Sequence, residues 1–198
     1  YWVDSDLNML IEMCNQLLNK LLKKNLHKNV FTLEQWFELN FNHGCNRNSL
    51  EKNLLLKDED VESMSYEDLF FKLFLLTENK LKEFGLVFLI DYPAELRAYS
   101  TVRGNIAERF EIYFNGVELA NAFNEERSNE ELHLITKKEQ DKRKSLNKPY
   151  FEIDEDFVNS LSKIEKNITG IALGLDRLFA IYQNKDNLSE VCFYHQNN

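Results

Sequence analysis

Two glutamates, Glu111 and Glu118, stand on either side of an Asn115-Gly116 pair in the run RFEIYFNGVELANAF, from Arg109 to Phe123. Asn-Gly between alternating apolar segments predicts a two-residue hairpin, because both central residues of a type I′ turn need positive φ. The turn also sets a register, with Phe114 opposite Val117, Tyr113 opposite Glu118, Ile112 opposite Leu119 and Glu111 opposite Ala120. Alternation then puts Phe110, Ile112, Phe114, Val117 and Leu119 on one face, and Glu111, Tyr113, Glu118 and Ala120 on the other. The carboxylates become diagonal neighbours roughly 7–8 Å apart. Arg109 is the basic residue of the hairpin that could answer their repulsion; a divalent cation would resolve it directly. Magnesium binds through one or two carboxylates plus phosphate oxygens, so the pair suits the handling of a nucleotide. The solvated outer face of an edge hairpin explains the same alternation.

A second feature lies in GIALGLDRLFAIY, Gly170 to Tyr182. Ile171 to Leu173 predicts a strand, Gly174 a close backbone approach and Asp176 to Tyr182 a helix. Arg177, just inside that helix, adds a guanidinium fork to free N–H groups and the helix dipole, which makes an anion site. A structural salt bridge is its competing role.

These features need elements to hold them. Asp4 or Ser5 can cap a helix whose apolar stripe is Leu7, Leu10, Ile11, Cys14, Leu17, Leu18, Leu21 and Leu22. Thr32 with Gln35 reads as a capping box for a helix through Phe41, and His43 to Ser49 reads as loop. A helix from Ser65 towards Phe84 stops at Gly85. Leu86 to Ile90 is a continuous apolar run that favours a central strand. Ser128 with Glu131 opens a polar helix that ends before Pro149, and a shorter helix spans Asp154 to Ile164. Helices, then a hairpin, then a strand and helix make an α+β domain with a mostly antiparallel sheet.

The net charge of -9 argues against a sequence-independent grip on nucleic acid. The basic strip Lys137, Lys138, Lys142, Arg143, Lys144 and Lys148 is interleaved with acids and reads as a solvated helix face. Cys14, Cys45 and Cys192 lack the spacing of a zinc site or a disulfide framework and fit a reducing cytoplasm, and the four histidines lack metal-ligand spacing. No apolar run reaches the roughly 18 residues that span a bilayer.

Together the hairpin and the ending resemble the catalytic domain of class II aminoacyl-tRNA synthetases, in their lysyl branch. ERFEIYFNGVELANAFNE resembles that branch's signature around its magnesium and lysine sites, and GIALGLDRL resembles motif 3. The likeness covers nearly the whole chain and is best over Ile106–Glu126 and Thr169–Phe193. The wording is nearer to a truncated paralogous group that attaches (R)-β-lysine to a lysine of elongation factor P, and Ala172 stands as it does there, where synthetases have glycine.

The resemblance implies roles residue by residue. Glu111 and Glu118 hold Mg²⁺ on the ATP phosphates, with Glu118 also near the amino acid. Ile112 lies beside the nucleotide, Gly174 lets ATP approach the backbone, and Arg177 is the catalytic arginine on the γ-phosphate. Asn121, Phe123 and Glu125 line a lysine pocket, Glu125 facing an ammonium, and Tyr1 matches a substrate-contacting tyrosine. Simple alternation turns Asn121 away from Glu118, so a bulge or strand end near Ala120 is implied. Ala122 replaces a family glycine, which narrows the pocket or strains the backbone if positive φ is needed there.

Motifs 1 and 2 are not visible and would lie upstream of Tyr1. The chain opens on tyrosine and reads as the C-terminal portion of the catalytic domain, residues 1–198, with a helical insert over about 1–85 and a motif 3 sheet portion over about 86–198. The implied protein is a cytoplasmic, ATP- and Mg²⁺-dependent ligase. It forms an aminoacyl-adenylate of lysine or β-lysine, transfers it to a lysine of elongation factor P, and is a homodimer through the upstream part. The alternatives are a lysyl-tRNA synthetase fragment, with tRNA the disfavoured acceptor, and a truncated non-catalytic module that binds a nucleotide or a protein.

Overall fold

The computed structural model describes residues 1–57 and 60–192. Phe193, where the likeness ends, and His195 lie outside the described residues.

The Asn-Gly reversal forms as predicted. Asn115 and Gly116 have φ of 51° and 80° and join β5 (Ile106–Phe114) to β6 (Val117–Asn124). Phe114 pairs with Val117 and Tyr113 with Glu118, but the register then shifts, so that Ile112 pairs with Ala120 and Glu111 with Asn121. The predicted pairs Ile112–Leu119 and Glu111–Ala120 do not form, and Leu119 is the extra residue of a β-bulge. Burial is the reason. Leu119 and Ala120 both pack into the apolar cluster that holds Phe110 and Ile112, so two consecutive residues turn to one face. Ala120 leaves the acid face, and Asn121 returns to it.

The hairpin is internal, which removes the edge-hairpin explanation of its glutamates. β6 pairs with β7 (Ile168–Leu173) and β5 with β3 (Leu86–Pro93). The sheet order is β1-β7-β6-β5-β3-β2, with β4 (Val102–Arg103) on β5; β1 is Trp2–Val3 and β2 is Lys28–Thr32. Among the described residues β2–β3 is parallel and the other strand pairs are antiparallel. Strands from both sides of residue 85 share this one sheet. The unbroken apolar run of β3 reflects burial on both faces, with Leu86 and Phe88 in one core cluster and Val87 and Leu89 in the other.

Helix α1 (Leu7–Leu22) covers the first face. Its cap is Asp6, whose side chain accepts from the Met9 N–H, in place of the predicted Asp4 or Ser5. Asp4 occupies a positive-φ turn, and the Ser5 hydroxyl is buried 2.7 Å from Thr169 Oγ1. Leu10, Ile11, Cys14, Leu18 and Leu22 are buried, while Leu17 and Leu21 lie on the outer flank.

Helices α2 (Leu33–Phe41), α3 (Arg47–Leu55) and α4 (Tyr66–Thr77) pack around the second cluster. The Thr32–Gln35 capping box forms. The predicted loop from His43 to Ser49 is shorter than expected, because Asn46 accepts from the Ser49 N–H and starts α3 at Arg47. Helix α4 tightens into a 3-10 turn over Glu78–Phe84 before Gly85, at φ 68°. Phe37, Phe70 and Phe74 stack in sequence, and Phe74 meets Tyr113 edge-on at 6.3 Å between centroids. That chain of rings links the helical layer to the acid face of β5.

The C-terminal helices are α5 (Asn129–Ser145), α6 (Glu155–Ser162) and α7 (Leu175–Tyr182). Ser128 caps α5 as predicted, but the Glu131 carboxylate pairs with Arg97 at 2.6 Å rather than closing the capping box. Glu126 accepts from the Ser128 N–H in its place.

Candidate active site

Glu111 is held from two sides. Arg109 Nη2 donates to its Oε1 at 2.6 Å and the Tyr113 hydroxyl to its Oε2 at 2.8 Å. Arg109 and Tyr113 are two residues either way along β5, so alternation alone puts all three on one face. The same Nη2 reaches Asn121 Oδ1 at 3.1 Å across the strand pair. The bulge at Leu119 makes that contact possible by returning Asn121 to this face.

Glu118 and Arg177 meet at the other end. Gly174 caps α7, and its N–H bonds the Leu119 carbonyl at 2.8 Å, which ties the helix start to the bulge. From the first turn of α7, Arg177 Nη1 donates to the Glu118 carbonyl at 2.8 Å and lies 3.6 Å from its carboxylate. Both side chains are partly open to solvent. Burial raises the Glu118 carboxyl above the ordinary glutamate range, the charge of Glu111 adds to this, and Arg177 offsets it. Glu78, at the start of the 3-10 turn, is raised by burial and by Glu111, again offset by Arg177.

The remaining predicted residues gather further along β6 and β7. A Cβ at Gly170 would collide with the Glu125 carboxylate and lie 2.9 Å from Tyr1 Cε1, so a bare backbone there makes room for Tyr1 and Glu125 to meet. Burial raises the Glu125 carboxyl above the ordinary glutamate range. Phe123 pairs with Gly170 and Asn121 with Ala172, and Ala172 is exposed beside the amide. The Phe123 ring lies 5.3 Å from the Arg109 guanidinium.

Two residues face away. Ile112 is fully buried against α1, so only its backbone borders this face. Ala122 is likewise in the α1 cluster and lies outside the positive-φ residues, so it neither narrows the pocket nor strains the chain.

Two neighbouring carboxylates, an arginine at a helix start and a carboxylate beside an aromatic ring lie along one shelf, a set of groups whose chemistry suits phosphate oxygens at one end and an amine at the other. Among the described residues no group of three or more His, Cys, Asp or Glu side chains converges to hold a metal. A magnesium ion here would draw the rest of its shell from phosphate oxygens, which suits this donor set. A cavity of about 660 Å³ between α5 and the chain around Tyr150 is lined by mixed charges, including Lys137, Asp141, Lys144 and Glu152, and lies apart from this shelf.

The family profile described as tRNA synthetases class II (D, K and N) matches residues 1–198. The chain belongs to this family. Among the class II relatives it resembles is the elongation factor P (R)-β-lysine ligase homolog of Aquifex aeolicus, at 35% identity over 191 residues, 95% of this chain and 62% of the relative. The elongation factor P (R)-β-lysine ligase of Hamiltonella defensa subsp. Acyrthosiphon pisum is 40% identical over 108 residues, 53% of this chain and 33% of that protein. The one from Photobacterium profundum is 26% identical over 206 residues, 81% of this chain and 64% of that protein. This class II chain therefore spans less than two thirds of the length of these relatives. No helix among the described residues is long and apolar enough to cross a membrane.

Glu111, Glu118 and Arg177 are legible from the sequence as site residues, and the hold of Arg109 and Tyr113 on Glu111 has its signal in their spacing of two residues either way along β5. Glu78 carried no such signal, because only tertiary packing brings the 3-10 turn to the hairpin.

Proposed function

We propose that this chain is the C-terminal portion of an ATP-dependent amino-acid ligase that activates lysine or β-lysine as an adenylate and passes it to a lysine of elongation factor P. The observation that carries the reading is a single strand face with Glu118 and Arg177 at one end, Tyr1 and Glu125 at the other, and Glu111 between them. An adenylate-forming reaction needs those two half-sites side by side.

Glu111 and Glu118 are the residues that would hold Mg²⁺, which when bound neutralises phosphate charge. Arg177 would turn from Glu118 to the terminal phosphate, a move that its exposure allows. Gly174 and the Ile112 backbone border the nucleotide, while Asn121, Phe123, Glu125 and Tyr1 orient the amino acid. Glu125, half-buried and acidic, suits the ammonium that distinguishes lysine from shorter amino acids. The amino-acid carboxylate then attacks the α-phosphorus and displaces pyrophosphate, and the acceptor amine attacks the carbonyl of the aminoacyl-adenylate, forming the amide as AMP leaves and the amine loses a proton. Placement and charge neutralisation supply the catalysis, with no side-chain nucleophile. A translation factor as acceptor puts the reaction in the cytoplasm.

The names of the relatives support elongation factor P as acceptor, and the acidic charge of the chain disfavours tRNA. The test incubates the complete protein with ATP, Mg²⁺, labelled lysine or β-lysine, and either tRNA or elongation factor P. Label in the factor is the expected result. Labelled tRNA with an unmodified factor would make the protein a lysyl-tRNA synthetase instead.

A further inference from the structure

Arg109 is buried in the sheet, 8% exposed. Its Nη1 donates to the Leu96 carbonyl at 2.8 Å, and its guanidinium lies 4.2 Å from the centroid of the buried Tyr92 ring. Stacked and anchored in this way, the group has little freedom. Its Nη2 donates at once to Glu111 Oε1 at 2.6 Å and to Asn121 Oδ1 at 3.1 Å.

Both contacts fix more than a distance. Arginine has no acceptor, so the bond to Oδ1 decides the amide orientation and leaves the Asn121 Nδ2 as a donor for another group. At Glu111 one oxygen accepts from Arg109 and the other from Tyr113, and each keeps lone pairs for a cation. Stability alone is a weak account of such a group. The buried Nε has no hydrogen-bond partner among the described residues, and a buried ion pair often stabilises no better than well-packed apolar side chains.

We infer that Arg109 is a positioning residue that holds the nucleotide-side carboxylate Glu111 and the amino-acid-side amide Asn121 from one nitrogen, so that the two half-sites are built as a single unit. The inference rests on the reading of the site given under Proposed function. Lysine cannot replace it, since a point charge reproduces neither the fork nor the stacking.

The test uses the complete protein and its Arg109→Lys and Tyr92→Leu variants. Calorimetric titrations with ATP in the presence of Mg²⁺, and separately with lysine and with β-lysine, are read beside thermal unfolding. Arg109→Lys should weaken the binding of nucleotide and of amino acid together, each by roughly tenfold or more. Tyr92→Leu removes the stacking face, and with it the buried Tyr92 hydroxyl, while leaving the guanidinium in place, and should weaken both by a smaller factor. A purely structural arginine would lower the unfolding temperature and leave both affinities unchanged in the folded protein. Loss of one affinity alone, or of neither, overturns the inference, and Tyr92→Leu decides it if Arg109→Lys does not fold. A wild-type protein that binds neither ligand would defeat the functional reading itself, whereas intact wild-type binding with unaffected variants defeats only the role of Arg109.

Discussion

At Glu118 the needs of the site and of the fold oppose each other. Burial and the charge of Glu111 raise its carboxyl, and Arg177 only partly offsets them. A carboxyl raised in the folded state holds its proton more tightly there than in the unfolded chain. Its contribution to stability is therefore fully present below the ordinary glutamate range and is lost as pH rises through the raised value. Metal-free Glu118→Gln should accordingly unfold at a higher temperature than the parent at neutral pH, with the gap closing below the ordinary glutamate range. Thermal denaturation across pH checks this, and a variant less stable at neutral pH would mean that the Arg177 pair dominates. The pairing of Glu118 with this face was legible because the turn is local. The Glu125–Tyr1 meeting was not legible from residue types, because it depends on Gly170 lacking a side chain opposite both.

At the scale of elements, the turn and the bulge divide the work. Asn115 and Gly116 reverse the chain, while Leu119 shifts the register by one residue so that Glu118 and Asn121 share a face. Gly116 sits at φ 80°, and an added Cβ would lie 3.4 Å from Lys82 Cβ. Gly116→Ala should cost about 1–2 kcal/mol of stability through the left-handed backbone, seen as a lower denaturant midpoint with an unchanged slope. An unchanged midpoint would show that the turn tolerates a side chain. Local chemistry announced the turn, whereas the bulge follows from the burial of Leu119 and Ala120 together against α1 and needs the third dimension. Strand β2 escaped notice for a similar reason, since its five residues show no alternation and pair in parallel with β3. Helix α3 was marked by Asn46 as a cap, a signal that the polar run around it concealed.

At the scale of the whole molecule, the described residues share one sheet whose strands come from both ends of the chain. Trp2 pairs with Thr169 and Val3 with Ile168, which carries Tyr1 to Glu125 and Gly170 from the far end of the sequence. The α+β class and the mostly antiparallel sheet were legible from element order, but the sharing of that sheet by strands before and after residue 85 was not, because it is a property of pairing rather than of pattern. The account depends most on the claim that this surface makes an adenylate. Pyrophosphate exchange into ATP, measured on the complete protein, tests that step before any acceptor is involved. The account predicts exchange that requires Mg²⁺ and lysine or β-lysine and that falls by roughly a hundredfold or more in a natively folded Glu118→Gln protein. An absence of exchange in the parent, or undiminished exchange in the variant, would contradict it.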